Sequence, residues 1–230
     1  MKAFLLAAGF GTRLRPLTDT VPKCLVPICG KPLLSHWLEL LQSHGVTDVY
    51  INTHYLAEKV REFIENHNRK NSGINLHEMY ENVLLGSGGT VREGKEFVFG
   101  EDFLICYADN LTDIDLTKLV ERHKAEKPVL TMALFHSPNP EQCGIATLCN
   151  DIITEFTEKP KNPASDLANA GIYVASPEIF DYLPQKEVLD FGHDVLPKLC
   201  GKMIGVESDC FTMDIGTPEN YKKAQEMWNK

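Results

Sequence analysis

Apolar and polar positions alternate along this chain in two rhythms. Ala3-Phe4-Leu5-Leu6-Ala7-Ala8 is an unbroken apolar run and predicts a strand buried on both faces. Residues 32–41 have helical spacing, with Pro32 suited to a first turn and Gly45 as a stop. A second strand is predicted over 48–52. An amphipathic helix follows over 56–68, with Val60, Phe63 and Ile64 on one side, and then a third strand over 74–79. A fourth strand falls over 103–107 and another helix over 116–125. This order predicts an α/β fold with a doubly wound, mixed but mostly parallel sheet, Rossmann-like in type.

The later part of the chain is richer in strand patterns, at 129–135, 144–148, 152–157 and 171–174. Ser176-Pro177-Glu178 and Thr217-Pro218-Glu219 read as helix starts, each with a cap residue, a first-turn proline and an acid near the positive helix end. The last helix is expected to run to the C-terminus. No repeat or linker interrupts the pattern, so a single domain over 1–230 is expected.

Composition narrows the function classes. Hydrophobic residues make up 43% and charged residues 24%, as in ordinary globular enzymes. With 23 basic and 32 acidic residues, the net charge of -9 argues against a nucleic-acid partner. It leaves room for a small phosphorylated ligand, where local charge decides. No apolar stretch reaches the length of a membrane span, so no membrane partner is expected. The chain starts on a core strand with no signal-peptide pattern. The seven cysteines, without a Cys-x-x-Cys pair, read as reduced thiols of a cytoplasmic protein.

The candidate chemistry begins directly after the first strand. Gly9-Phe10-Gly11-Thr12-Arg13-Leu14-Arg15-Pro16-Leu17-Thr18, followed by Pro22-Lys23, places glycines and two cations at a carboxyl strand end, the ligand edge of an open α/β sheet. Glycines let backbone N–H groups approach phosphate oxygens. Leu14 replaces the third glycine of a dinucleotide fingerprint, and no Gly-Lys-Ser/Thr triplet supplies a P-loop. Asp109, after the fourth strand, faces the same edge, and Asp214 opens a glycine turn before the last helix. Two such carboxylates suit a shared hard cation. Leu84-Leu85-Gly86-Ser87-Gly88-Gly89-Thr90, preceded by Glu81, demands an unusual backbone or close packing. Glu158-Lys159-Pro160 and Asn169-Ala170-Gly171 complete the set; Asn169 offers a donor and an acceptor. Asp190-Phe191-Gly192 reads as a turn before a helix.

Together these motifs resemble the nucleotide-sugar pyrophosphorylases, the sugar-1-phosphate nucleotidyltransferases, over nearly the whole chain. The resemblance is to short forms acting on mannose or heptose 1-phosphates with GTP. It implies a nucleotide-binding half over about 1–125 and a sugar-phosphate half over about 126–230. It assigns Ala7, Ala8, Gly9, Gly11, Thr12, Arg13 and Lys23, with Glu81, Gly86 and Ser87, to the nucleotide. Asn110, Glu158, Lys159, Asn169 and Gly171 fall to the sugar phosphate, and Asp109 and Asp214 to Mg2+. Arg13, Lys23 and Asp109 become the catalytic residues.

The implied reaction joins an NTP to a sugar 1-phosphate and releases pyrophosphate. Uridylyl transfer to a hexose or amino-sugar 1-phosphate, cytidylyl transfer to a phosphorylated alcohol, and a non-catalytic nucleotide-sugar sensor are the competing readings. The glutamine and proline pattern of thymidylyl-specific members is absent near Gly86. Asp109 follows Ala108 where the family more often has glycine. Many relatives continue past this point into a β-helix or a longer tail. A homo-oligomer is compatible with the sequence.

Overall fold

The computed structural model describes residues 1–70 and 72–228. In chain order the first elements are β1 (Lys2–Leu6), β2 (Pro27–Ile28), β3 (Lys31–Pro32), α1 (Leu33–Ser43), β4 (Asp48–Thr53), α2 (Ala57–Arg69) and β5 (Asn75–Tyr80). Then come α3 (Ser87–Glu93), α4 (Lys95–Val98), β6 (Phe103–Tyr107), β7 (Asn110–Thr112), α5 (Leu116–Glu126) and β8 (Leu130–His136). The chain continues through β9 (Gly144–Cys149), β10 (Ile152–Glu158), β11 (Leu167–Ala175), β12 (Met203–Glu207), β13 (Thr212–Asp214) and α6 (Pro218–Met227).

These elements pack as two compact units. The first comprises Met1–Leu84, Tyr107–Asp113 and Phe211–Lys230; the second comprises Leu85–Cys106 and Ile114–Cys210. In the first unit β1 pairs in parallel with β4, and β4 with β5. Ala3, Phe4 and Leu5 are fully buried, as an unbroken apolar strand requires. Helix α1 buries Leu33, Leu34, Trp37, Leu38 and Leu41, and α2 buries Val60 and Ile64. Phe63, expected on that face, is only half-buried. A two-stranded antiparallel ladder, β7 with β13, completes this unit.

The second unit is mixed. β11 runs antiparallel to β6 and β8, β8 is parallel to β12, and β10 is antiparallel to β12 and β9. The mostly parallel arrangement read from the sequence therefore holds in the first unit, while antiparallel pairs dominate the second. Part of the reason is local. β9 and β10 are joined by Asn150-Asp151, both with positive φ (49° and 65°), which suits a two-residue hairpin. Parallel strands would need a longer crossover.

The residues of strand β12 carry no distinct strand pattern in the sequence. The Ser176-Pro177-Glu178 start gives a short 3-10 helix, Pro177–Tyr182, and no α-helix. The last helix ends at Met227, and residues 229–230 lie outside the described residues.

Candidate active site

Gly11 sits in the left-handed region (φ +64°), and a Cβ there would come within 2.9 Å of Thr18 and 3.3 Å of Lys23. Only glycine allows that turn without strain. The buried Thr18 hydroxyl donates to the Gly11 carbonyl at 2.8 Å and holds the loop back on itself. Thr12–Leu14 forms one 3-10 turn, which buries Leu14 and leaves Arg13 largely exposed.

Lys23 is nearly buried. Its Nζ donates to Asp109 Oδ2 and to Asp214 Oδ1, both at 2.8 Å. The two aspartates are distant in sequence but adjacent in space because of the β7–β13 ladder. Asp214 lies opposite Asn110, and the Ile215 N–H donates to the Asp109 carbonyl at 3.1 Å. The Asn110 carbonyl also accepts from the Trp37 indole at 2.7 Å, which anchors the ladder on α1. Asp214 Oδ1 accepts the Gly216 N–H at 2.7 Å, and Oδ2 lies 3.4 Å from Arg13. A Cβ on Gly216 would stand 2.8 Å from both the Arg13 guanidinium and the Asp214 carboxylate, so a side chain there would displace the pair.

The charges tune one another. Burial would lower the Lys23 pKa, but Asp109 and Asp214 outweigh it and hold the ammonium above its ordinary value. Burial would raise the Asp214 pKa, but Lys23, Arg13 and the Gly216 N–H bring it below the usual carboxylate range. So two cations and two carboxylates meet beside the β7–β13 ladder.

The other nucleotide-side residues of this unit have internal partners. The Ala7 N–H donates to Asn52 Oδ1 at 2.6 Å, and Asn52 Nδ2 donates to Glu81 Oε1 at 2.9 Å. Gly9 has nothing within 4 Å of where a Cβ would stand, and Ala8 is buried.

In the second unit the glycine-rich turn is packed tightly on its own neighbours. A Cβ on Gly86 would fall 2.5 Å from the Leu189 carbonyl, to which the Gly88 N–H donates at 2.8 Å. Ser87 Oγ accepts the Phe191 N–H at 2.9 Å.

Glu158 ends β10 and its carboxylate is mostly buried. Burial raises its pKa, the Lys159 ammonium 3.8 Å away opposes the shift, and Asp190 adds to it. Gly144 and Gly192 make room for it; a Cβ at either would stand 2.6 or 2.8 Å from Glu158 Oε2. Lys159 is exposed and holds a left-handed φ of 48°. Asn169 and Gly171 form a bulge in β11: the register jumps between Asn169 and Tyr173, Gly171 takes φ +71°, and its N–H donates to Asn169 Oδ1 at 2.9 Å. Asn169 Nδ2 donates to the Tyr173 hydroxyl at 2.6 Å.

The nucleotidyl transferase family matches residues 2–230. The chain belongs to the nucleotidyl transferase family. It is 34% identical over 243 residues to a UTP–glucose-1-phosphate uridylyltransferase of Synechocystis, covering 97% of this chain and 62% of that protein. It is 32% identical over 227 residues to the D-glycero-alpha-D-manno-heptose 1-phosphate guanylyltransferase of Aneurinibacillus thermoaerophilus, covering 98% of this chain and 97% of that one. The crystal structure of HddC from Yersinia pseudotuberculosis complexed with GMP-PN superposes with a TM-score of 0.83 at 25% identity, over 98% of each chain. The chain thus spans less than two thirds of the Synechocystis relative but nearly all of the Aneurinibacillus one.

Within this family member, sequence reasoning found Arg13, Lys23, Asp109 and Asp214, and the fold brings these four together in the first unit. It brings Glu158 and Lys159 together in the second unit, where Asn169 and Gly171 share one bulge. It missed Asn52, which read only as the end of a strand, and Gly144 and Gly192, which shape the Glu158 site. The Asp190-Phe191-Gly192 triplet was the available signal for Gly192. Among the described residues no helix is long and apolar enough to cross a membrane. Among the described residues no disulfide joins any of the cysteines.

The donor set also suits a hard divalent cation. Asp109 and Asp214 already converge on one cationic nitrogen with an oxygen each. Among the described residues no group of three or more His, Cys, Asp or Glu is placed to hold a metal. One or two carboxylates with phosphate oxygens filling the remaining positions is the usual arrangement for magnesium.

Proposed function

We propose that this protein transfers a nucleoside monophosphate from an NTP to a sugar 1-phosphate, with GTP and a manno-configured hexose or heptose 1-phosphate as substrates. The observation that carries the reading is the Arg13, Lys23, Asp109 and Asp214 cluster beside the glycine loop. A protein that only bound a nucleotide sugar would have no need of it. The choice of GTP rests on the Aneurinibacillus guanylyltransferase, matched over nearly its full length, and on the GMP-PN complex of HddC. A uridylyltransferase for a glucose-type 1-phosphate is the second reading, favoured by the 34% identity to the Synechocystis enzyme.

A phosphate oxygen of the sugar 1-phosphate attacks the α-phosphorus of the NTP, the α–β bridging bond breaks, and pyrophosphate leaves. The acceptor is already anionic at neutral pH, so no general base is required. Positioning and charge neutralisation carry such a transfer. Gly9, Gly11 and Thr12 hold the triphosphate through the loop backbone, next to Ala7 and Ala8. Arg13, largely exposed, offsets charge on the departing pyrophosphate. Lys23 leaves its aspartates to neutralise the α-phosphate. Asp109 and Asp214 would hold a magnesium ion, which supplies positive charge to the phosphate oxygens.

Gly86 and Ser87 serve the base, on a turn fixed by its packing against Leu189. Lys159 binds the sugar phosphate. Its left-handed backbone supports that role, since a non-glycine residue there costs about 1–2 kcal/mol and such strain gathers at functional sites. Glu158, Asn169, Gly171 and Asn110 serve the sugar. Cysteines that form no disulfide among the described residues suit a cytoplasmic setting.

The test is pyrophosphate release with magnesium, crossing GTP, UTP, CTP and ATP against hexose and heptose 1-phosphates. Release that needs one NTP and one sugar phosphate together establishes the reaction and names both. Binding of a nucleotide sugar with no release from any pair overturns it in favour of a sensor.

A further inference from the structure

The glycine loop is anchored unevenly. From Gly11 onward it is held from within, by the Thr18 hydroxyl on the Gly11 carbonyl and by the buried Leu14. Its first part is Gly9-Phe10-Gly11, two residues without side chains around one aromatic ring. Such a stretch has much backbone freedom to lose before it can present N–H groups to a phosphate. Gly9 itself has open space where a Cβ would stand.

Phe10 supplies the hold. Its ring meets His54 edge-on, with centroids 5.3 Å apart and planes at 85°, and meets Tyr55 at 5.8 Å and 57°. Aromatic pairs at such spacings and angles attract one another beyond the area they cover. The segment that carries both partners also takes the far end of the loop. The Tyr55 hydroxyl donates to the Asp19 carbonyl at 3.4 Å, and the Lys59 ammonium, in the first turn of α2, donates to the Thr20 carbonyl. Residues 54–59 therefore grip the loop at both ends, at Phe10 and at Asp19-Thr20. Phe10 remains 44% exposed, so it fills no core, and a hydrocarbon ring has no hydrogen bond to offer a phosphate oxygen. We infer that Phe10 is a positioning residue: packed on His54 and Tyr55, it presets the backbone of the glycine loop for the phosphates of the nucleotide. This rests on the proposed nucleotidyl transfer.

The test is calorimetric: the dissociation constants of GTP and of inorganic pyrophosphate, each with magnesium, with thermal unfolding alongside. UTP replaces GTP if it binds the parent protein more tightly. The proteins compared are the parent, Phe10→Ala, Phe10→Tyr, Tyr55→Ala and the double alanine variant. Phe10→Ala should weaken both ligands by about tenfold, with the thermal midpoint near that of the parent. Phe10→Tyr keeps the ring and should restore both. The loss in the double variant should fall well short of the product of the two single losses, because they share one contact. The KM for the sugar phosphate should not move. Unchanged affinity in Phe10→Ala, no recovery in Phe10→Tyr, or losses that multiply in the double variant would each overturn the inference. So would a loss for the nucleotide with pyrophosphate unaffected, which would give the ring to the nucleoside. If the double variant does not fold, Phe10→Ala against Phe10→Tyr decides alone. Parent protein that binds neither nucleotide nor pyrophosphate would overturn the transferase reading itself; parent binding with Phe10→Ala unaffected would overturn only the role of Phe10.

Discussion

Lys23 answers two carboxylates at once, and that makes each of the three residues hard to replace. Asp109→Asn keeps the shape of the side chain but removes a charge on which Lys23 depends. Turnover should fall by at least about 100-fold, as when a charge-stabilising group is removed from a preorganised site, and the thermal midpoint should stay near that of the parent. Near-normal turnover in the purified variant would remove Asp109 from the mechanism. His123 makes a different residue-scale prediction. It is buried on α5, its Nδ1 is 2.8 Å from the Thr131 hydroxyl, and burial lowers its pKa despite Asp102 at 3.8 Å. The folded state therefore binds this proton less readily than the unfolded chain, whose value is about 6.5. The contribution to stability is complete above about pH 6.5 and declines as pH falls below it. Urea unfolding at pH 7.5 and pH 5.5 should show that decline, and His123→Gln should flatten it. At this scale the strand-end aspartates and the loop cations were legible, because a charged residue directly after an apolar run is conspicuous. Asn52 was not, since nothing in a lone strand-end asparagine announces which backbone N–H it will meet.

Helices and strands carry their own devices. The side chain of Asp115 caps α5 by accepting from the Thr117 and Lys118 N–H groups at 3.0 and 3.4 Å. Asp115→Ala should destabilise the protein by about 1 kcal/mol in denaturant unfolding, with activity unaffected. The β11 bulge depends on Gly171 at φ +71°. Gly171→Ala forces a Cβ into the left-handed region at a cost of about 1–2 kcal/mol, and should also raise the KM for the sugar phosphate by displacing Asn169. A variant with lowered stability but unchanged KM would leave the bulge a purely structural role. Element types were readable from periodicity, and the proline-led start of α6 was explicit. Strand direction in the second unit was not. It depends on which distant strand each one meets, and periodicity of side chains is the same whichever way the partner runs. β12 escaped for a related reason: Met203-Ile204-Gly205-Val206 is short, and Gly205 fits because a Cβ there would strike Leu134 and Leu148.

Across the whole molecule, burial sorts the thiols. Cys29 and Cys149 are exposed, whereas Cys24 and Cys106 are fully enclosed. Burial pushes the Cys24 thiol up to about 12 and raises that of Cys106 as well. Since the thiolate is the reacting form, a disulfide reagent at pH 8 should titrate Cys29 and Cys149 first, and Cys24 and Cys106 only after denaturant is added. Rapid labelling of Cys106 in the native protein would contradict the packing around β6. The first unit is also assembled from three separated stretches of chain, and the last of them, beginning at Phe211, brings Asp214. During translation, Lys23 and Asp109 leave the ribosome long before their third partner. The charge cluster cannot close until synthesis has passed β13 and reached α6. A nascent or truncated chain lacking that stretch therefore holds Lys23 and Arg13 without their complete acidic counterpart.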